Sequence, residues 1–529
     1  MMKIKIAVLG MTVLILMGLS SCEQWLTIKP ESQIILDEYW KSETDVQAVL
    51  AACYKGLTSD DNIYRMIVWG ELRSDNLTVG AGIPNKMLDM KKILDGNITP
   101  SNGYCSWGSF YTVINYCNTL LYYAPQVTKR DNNFTQAHLQ RVQAEALTLR
   151  ALSYFYLVRT FKEVPWIEDA SIDNTQNYAN PKDTEQTIIN NIIRDLLIAQ
   201  KYAQTDYGRT DYNKGKITLD AVNSLLADVY LWNQQYELCA QTCDLVLANK
   251  NLKLVEAKNM YTSVFYQGNS SESIFELQFK ENVQFNNPVA LLYGSSSQSM
   301  TGYLGFPATL AYNSSSNLAG VNSPFDYKVS TSVIEGVNDI RANQFYWLFG
   351  GQYFIFKYAG IAVVKTIVSG VERTGYAFRS NSANWIIYRL SDVMLMKAEA
   401  LVELDGTANL NNALGMVNET YLRSNPGEDS LKIANYTTKF SMENLVLRER
   451  QRELLFEGKR WYDLVRMARR NNSTSILNDY VNHKSSGNAA SLGAPVMDAM
   501  YMPISKSEIE ANSNMVQNPY YKESTSITK

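Results

Sequence analysis

Two long stretches of this chain, about 44–249 and 385–470, repeat their apolar residues at the 3.6-residue period of a helix. That pattern confines them to helices packed on helices, because each apolar stripe must be buried against another element. The spacing predicts helices over 44–58, 107–124, 136–161, 185–203, 218–233 and 235–248, then over 385–404, 409–422 and 441–470. Residues 251–383 change character, being rich in Ser, Asn, Gly and Tyr with short alternating runs such as Ser273–Phe279. Runs that short predict loops and a few strands inserted into a helical frame, not a separate domain.

The helices carry a repeat. Leu226-Ala227-x2-Tyr230 has the spacing of the first helix of a tetratricopeptide (TPR) unit, and in that register Cys239 and Cys243 fall at packing positions of the second. Ala144-Glu145-Ala146 and Ala398-Glu399-Ala400 open similar patterns. Such pairs cannot bury their apolar faces alone, so neighbours stack. The expected fold is mainly α, with stacked TPR-like helix pairs forming a right-handed superhelical frame around a loop- and strand-rich insertion.

The segment 441–470 reads as one long helix, capped by Ser441 and striped by Leu447, Leu454, Trp461 and Ala468. Gly458 in its middle costs about 1 kcal/mol of helix propensity, which close approach of another helix would explain. Its other face pairs Glu449 with Arg452, Glu457 with Arg460, Asp463 with Arg466 and Lys459 with Asp463. Glu453 and Glu457 would lie one turn apart, the separation of a glycosidase pair. Carboxylates so surrounded by arginine read instead as an ion-pair network.

The chain begins Met1-Met2-Lys3-Ile4-Lys5, then runs apolar from Ile6 to Leu19 and reaches Leu19-Ser20-Ser21-Cys22. An apolar run that short suits a signal peptide and falls below the roughly 20 residues of a membrane span. Small residues directly before Cys22 match the site at which bacterial lipoprotein signals are cut and the cysteine acylated. Residues 1–21 are therefore expected to be a lipoprotein signal and Cys22 the lipid anchor, each buried acyl CH₂ contributing about 0.8 kcal/mol. Cys53, Cys105, Cys117, Cys239 and Cys243 remain, an odd number that argues against a disulfide framework. Two histidines, His138 and His483, argue against a His-rich metal site, and no metal or other cofactor is indicated. With 49 basic against 52 acidic residues, the chain lacks the charge of a nucleic-acid binder.

Several motifs together resemble the SusD/RagB family of nutrient-capturing surface lipoproteins. Trp40-x3-Thr44-Asp45-x4-Leu50-x3-Tyr54-x2-Leu57 is similar to the family's opening, and Trp107-x3-Tyr111-x2-Ile114-x2-Cys117-Asn118 to its next helix. Asp339-Ile340-Arg341 matches its Asp-x-Arg element, and Tyr388-Arg389-Leu390-x-Asp392-Val393 leads a specific match through Ala400. So does Glu449-Arg450-x2-Glu453-Leu454-x-Phe456-Glu457-Gly458-x-Arg460-Trp461, and Pro503-Ile504 with Gln517-Asn518-Pro519-x-Tyr521 completes it. Beyond the signal, residues 22–529 are expected to form a single unit. Its frame spans about 40–250 and 384–470, its insertion about 251–383 and its C-terminal extension 471–529.

The resemblance implies a non-enzymatic protein that captures a nutrient, oligosaccharide or peptide, at the outer membrane facing the cell exterior. It would deliver that ligand to a TonB-dependent, SusC-like barrel and act as its lid. The membrane would be touched through the lipid anchor only, and no nucleic acid is a partner. The rival readings are an envelope TPR adaptor and a glycosidase. A glycan site needs aromatic faces for sugar rings and polar groups for hydroxyls. Two stretches offer them: 64–104, with Trp69, Arg73, Asp75 and Asn76, and 285–353, with Tyr293, Tyr303, Tyr312, Tyr346, Trp347 and Tyr353. Trp107 and Trp461 fall inside structural motifs and are assigned to packing.

Overall fold

Helices stand where the apolar period placed them, with two informative exceptions. The computed structural model describes residues 39–522 apart from 81, 172–175, 281–286, 295–301, 314–317, 320–322, 326–327, 331–332, 335–338, 359–360, 379–381 and 486–491. Cys22 and the signal segment lie outside the described residues. In the first stretch, α1 (Glu43–Leu57) and α2 (Asp60–Ile67) precede the long α3 (Gly108–Val127) and α4 (Gln136–Phe161). Then come α5 (Glu185–Tyr202), the short α6 (Thr210–Gly215), α7 (Leu219–Trp232) and α8 (Tyr236–Leu247). The second stretch holds α9 (Leu390–Leu404), α10 (Thr407–Ser424), α11 (Lys439–Glu453) and α12 (Arg460–Asn471).

Local chemistry sets several helix starts. The side chains of Ser59, Thr135, Thr184 and Thr218 each accept the backbone N–H three residues on, a cap that contributes about 1 kcal/mol. The helices pack in series, α3 on α4, α4 on α5, α7 on α8, α8 on α9 and α9 on α10, as stacked TPR-like pairs do. Cys239 and Cys243 are wholly buried on α8, which packs on α9, and all five cysteines of the described region are buried free thiols.

The short antiparallel strands include β1 (Thr78–Val79) in the first stretch and, within the insertion and at its edge, β2 (Ser273–Leu277), β3 (Leu304–Phe306), β4 (Tyr346–Phe349), β5 (Gln352–Ile355) and β6 (Trp385–Arg389). The order β1-β3-β5-β4 makes one sheet, while β6 pairs with β2 through Trp385↔Leu277 and Ile386↔Glu276. Here lies the first exception. Residues 385–389, expected to open a helix, are strand, because Trp-Ile-Ile-Tyr-Arg is buried on both faces against β2. The helix begins only at Leu390.

The second exception is the segment 441–470, which is two helices, not one. Thr438 caps α11, with Ser441 as its reciprocal partner in a capping box, correcting the assignment of Ser441 as the cap. Between Glu453 and Arg460 the chain turns through two left-handed residues, Phe456 at φ 68° and Gly458 at φ 71°. Gly458 is thus a turn residue, not a helix residue under a packing constraint. Close approach does occur there: a Cβ on Gly70 would lie 1.9 Å from the Gly458 carbonyl oxygen. The break is held by Glu71, whose carboxylate accepts the backbone N–H groups of Phe456 (3.1 Å) and Lys459 (3.1 Å). The residues of the seven-residue stripe, Leu447, Leu454, Trp461 and Ala468, are all buried even so.

Breaking the helix re-pairs its charges. Glu449–Arg452 (2.8 Å) and Asp463–Arg466 (2.7 Å) form as expected. Glu457 instead meets Arg389 (2.7 Å) and Lys357 (2.6 Å), Arg460 meets Asp75 (2.9 Å), and Lys459 meets Asp392 (2.8 Å). Arg389 also binds Glu453 and Glu272, each at 2.6 Å. Arg341 of the insertion binds Asp339 (2.6 Å), Glu449 (2.8 Å) and Glu453 (2.8 Å). This dry lattice fastens insertion to frame. Burial pushes the Glu457 carboxyl up, but Arg389 and Lys357 more than reverse that and hold it below its ordinary range.

Candidate functional site

On α1, Gln47, Leu50, Ala51 and Tyr54 fall at i, i+3, i+4 and i+7 and so share one face. That face forms one wall of an open cleft of about 870 Å³. The opposite side comes from α6 and its end, with Asp211, Tyr212, Gly215 and Lys216. The segments flanking β2 and β6 close it with Gln267, Asn269, Gln278, Lys280 and Asn384. An extension of about 340 Å³ shares Ala51, Tyr54 and Lys280 and runs out to Lys55 and Thr58. Concavities of this size hold small ligands.

The amide wall is pre-formed. Asn269 and Gln278 exchange hydrogen bonds of 3.1 and 2.9 Å, and Asn384 donates to Gln278 at 3.2 Å. Gln47 and Gln267 make no side-chain hydrogen bond among the described residues. Beneath the floor lie two buried carboxylates. The Tyr54 hydroxyl donates to Glu145 at 2.5 Å, with the Lys216 ammonium 3.7 Å from its other oxygen. Glu276 accepts from the Asn269 N–H (2.9 Å) and the Asn384 amide (2.8 Å). Burial raises the pKa of both, outweighing Lys216 at Glu145 and the amide donors at Glu276. The cleft's own acid, Asp211, is gripped by Arg209 at 2.7 and 3.1 Å. Such a surface can bond hydroxyls through amides, lysines and a tyrosine. It offers no free pair of carboxyl groups for acid–base work among the described residues.

The structure corrects much of the site expected from sequence. Trp69 is 1% exposed, stacked on Phe110 at 5.1 Å, with its indole N–H donating to the Tyr104 carbonyl at 2.8 Å. Arg73 and Asp75 do not pair with each other. Arg73 donates to the Ala499 and Met500 carbonyls and lies over the Trp461 ring at 4.1 Å, while Asp75 is spent on Arg460. Asn76 donates to Glu71 (2.7 Å) and accepts from Gln451 (2.8 Å). Tyr293 is fully buried among Tyr358 and Phe456. All five are core residues: α2 continues into the π-helical turn Val68–Leu72, which draws the 69–76 segment inward, and Tyr293 ends the largely buried short helix Val289–Tyr293.

Tyr303 and Trp347 remain half-buried, and Trp347 stacks on Phe356 at 3.8 Å. Tyr303 sits with Tyr64 and Tyr104. Burial and the neighbouring Asp60, Tyr104 and Tyr303 push the Tyr64 hydroxyl up to about 12. Tyr312 lies in a two-residue strand, and its side chain falls outside the described residues. The cleft itself was missed. Its opening motif, Leu50-x3-Tyr54, reads as packing, and only the basic run Lys214-Gly215-Lys216 beside amide-rich segments signals a surface.

Comparisons place this architecture among known proteins. A model described as the SusD family matches residues 331–521, and one described as starch-binding associating with outer membrane matches 24–231. SusD-like protein P38 of Formosa agariphila is 26% identical over 492 residues, covering 88% of this chain and 92% of that protein. A SusD superfamily protein from Bacteroides thetaiotaomicron superposes with a TM-score of 0.68 at 20% identity, over 91% of this chain and 99% of that one. A laminarin-binding SusD-like protein superposes at 0.65 with 21% identity, over 91% and 100%.

Proposed function

Because the chain is a SusD/RagB-type protein, we propose that its cleft captures an oligosaccharide at the outer membrane and hands it unaltered to a TonB-dependent, SusC-like barrel. Carbohydrate binding without catalysis and association with the outer membrane are properties of the family. Transfer to a barrel, the lid role and a lipid anchor at Cys22 are the finer parts of the proposal.

The observation that carries the reading is the open, amide-lined cleft. Pre-bonded Asn269, Gln278 and Asn384 present fixed polar edges, so little side-chain entropy is lost when a polyol docks. The carboxylates that suggested a glycosidase, Glu453 and Glu457, are locked in arginine contacts and support no turnover. A peptide would use the same amides, but an open cleft edged by Tyr54 and Tyr212 favours sugar.

The test is direct. Ala51 is exposed and lines both the cleft and its extension, so Ala51→Trp fills the space without disturbing the core. Affinity electrophoresis through soluble glycans should show retardation of the wild type, none of Ala51→Trp, and no new reducing ends. Retardation that survives Ala51→Trp would move the site elsewhere, and released sugar would make the protein a hydrolase.

A further inference from the structure

We propose that the saccharide taken by this cleft is anionic, its carboxylate or sulfate received by Lys280 and Lys216. The inference rests on the cleft being the glycan site and adds the class of glycan.

The chain carries a net charge of −3, yet the cleft and its extension gather Lys55, Lys216 and Lys280 against the single acid Asp211. Asp211 is already neutralised by Arg209 through two contacts. Of the acids beneath the floor, Glu145 accepts from Tyr54 and faces Lys216, and Glu276 accepts from the Asn269 N–H and the Asn384 amide. Lys280 is exposed and makes no ion pair among the described residues. Lys216 stands 3.7 Å from Glu145 and keeps ammonium hydrogens for a second partner. Asp211 is thus met by a cation, while Lys280 meets no carboxylate among the described residues.

An aromatic ring points the same way. A neutral sugar is held chiefly by stacking on a bare ring face. Arg209 lies over the Tyr212 ring of the cleft at 4.2 Å. A cation thus takes one face of that ring, which shifts recognition toward charge and amide hydrogen bonds.

Matched polymers differing only in charge provide the test: polygalacturonate against its full methyl ester, and dextran sulfate against dextran. At low salt the charged member of at least one pair should bind the wild type about ten-fold more tightly or better, with the difference shrinking as salt screens it. Which pair responds separates carboxylate from sulfate. Lys280→Gln should weaken that binding about three- to five-fold, as exposed ion pairs do, and Lys280→Arg should restore it. Equal binding of charged and neutral members, or a charge preference unchanged in Lys280→Gln, overturns the inference and leaves the glycan site standing. Charged binding that persists in Ala51→Trp overturns both. So does the absence of binding to all four polymers and to laminarin.

Discussion

Arg389 and Lys216 lie in regions built from the same residue types. Around Arg389, every neighbouring carboxylate is buried and held by a cation, and the backbone carbonyl of Glu453 takes up a further guanidinium N–H. Around Lys216, the carboxylates sit below the floor and bond mainly to neutral donors, while ammonium groups face the open cleft. The difference shows in proton affinity. Burial pushes the Asp392 carboxyl up, yet Lys459 and Arg450 bring it down to about 2. Glu145 and Glu276 stay raised. Glu71 proves the rule within the first region: held by backbone N–H groups and an amide but no cation, it is pushed up to about 7. Hydrogen-bond donors alone do not offset desolvation there; full cations do.

The contrast can be broken most forcibly at Arg389. Arg389→Met should destabilise by about 3–5 kcal/mol, since three buried carboxylates each lose one of their cations, and many preparations should be insoluble. A wild-type denaturation midpoint for this variant would show that the lattice does not hold the insertion. Two glycines sharpen the comparison. Gly70→Ala meets the immovable Gly458 carbonyl and should cost about 1–3 kcal/mol, whereas at Gly215 the nearest atom, at 2.6 Å, is the Gln278 Cγ, a side chain whose amide is bonded to Asn269 and Asn384. Gly215→Ala should therefore displace Gln278 and weaken glycan retardation, with a smaller loss of stability than Gly70→Ala.

Acidity should separate the regions by sign. Asp392 contributes roughly 2 kcal/mol above its ordinary value of 3.8, lost as pH falls from there through about 2. Glu71, Glu145 and Glu276 act oppositely: their contribution is complete below about 4.5 and is lost as pH rises through their raised values, about 7 for Glu71. Urea midpoints across pH should thus pass through a maximum in mild acid. Glu145→Gln should flatten the alkaline limb and leave the acid limb alone. A flat profile from pH 7 to 5 in the wild type would contradict the raised values.

The smallest expected effect concerns the rival surface. Tyr303→Ala should leave glycan retardation within about two-fold of wild type while Ala51→Trp abolishes it, because side groups outside a binding patch change affinity little. Reversal of that order would assign binding to the half-buried tyrosines Tyr64, Tyr104 and Tyr303.

Much of the frame was legible in the residues themselves. Helices at 43–57, 136–161 and 219–232 follow from apolar period and local caps, since both are set within one or two turns. Charge pairs three residues apart, Glu449–Arg452 and Asp463–Arg466, were fixed at the same range. Tertiary structure alone decided what depends on distant partners. Strand β6 exists because β2 lies beside it, over a hundred residues earlier in the chain. The helix break at 454–459 exists because Glu71 supplies a carboxylate to its open N–H groups. Trp69 and Tyr293 looked like sugar platforms because composition reports an aromatic ring but not which side of a packed layer it occupies. The cleft arose from four segments, α1, α6 and the ends of β2 and β6, none of which carries a binding motif alone. Periodicity and capping are properties of neighbours in sequence; burial, partner choice and concavity belong to neighbours in space.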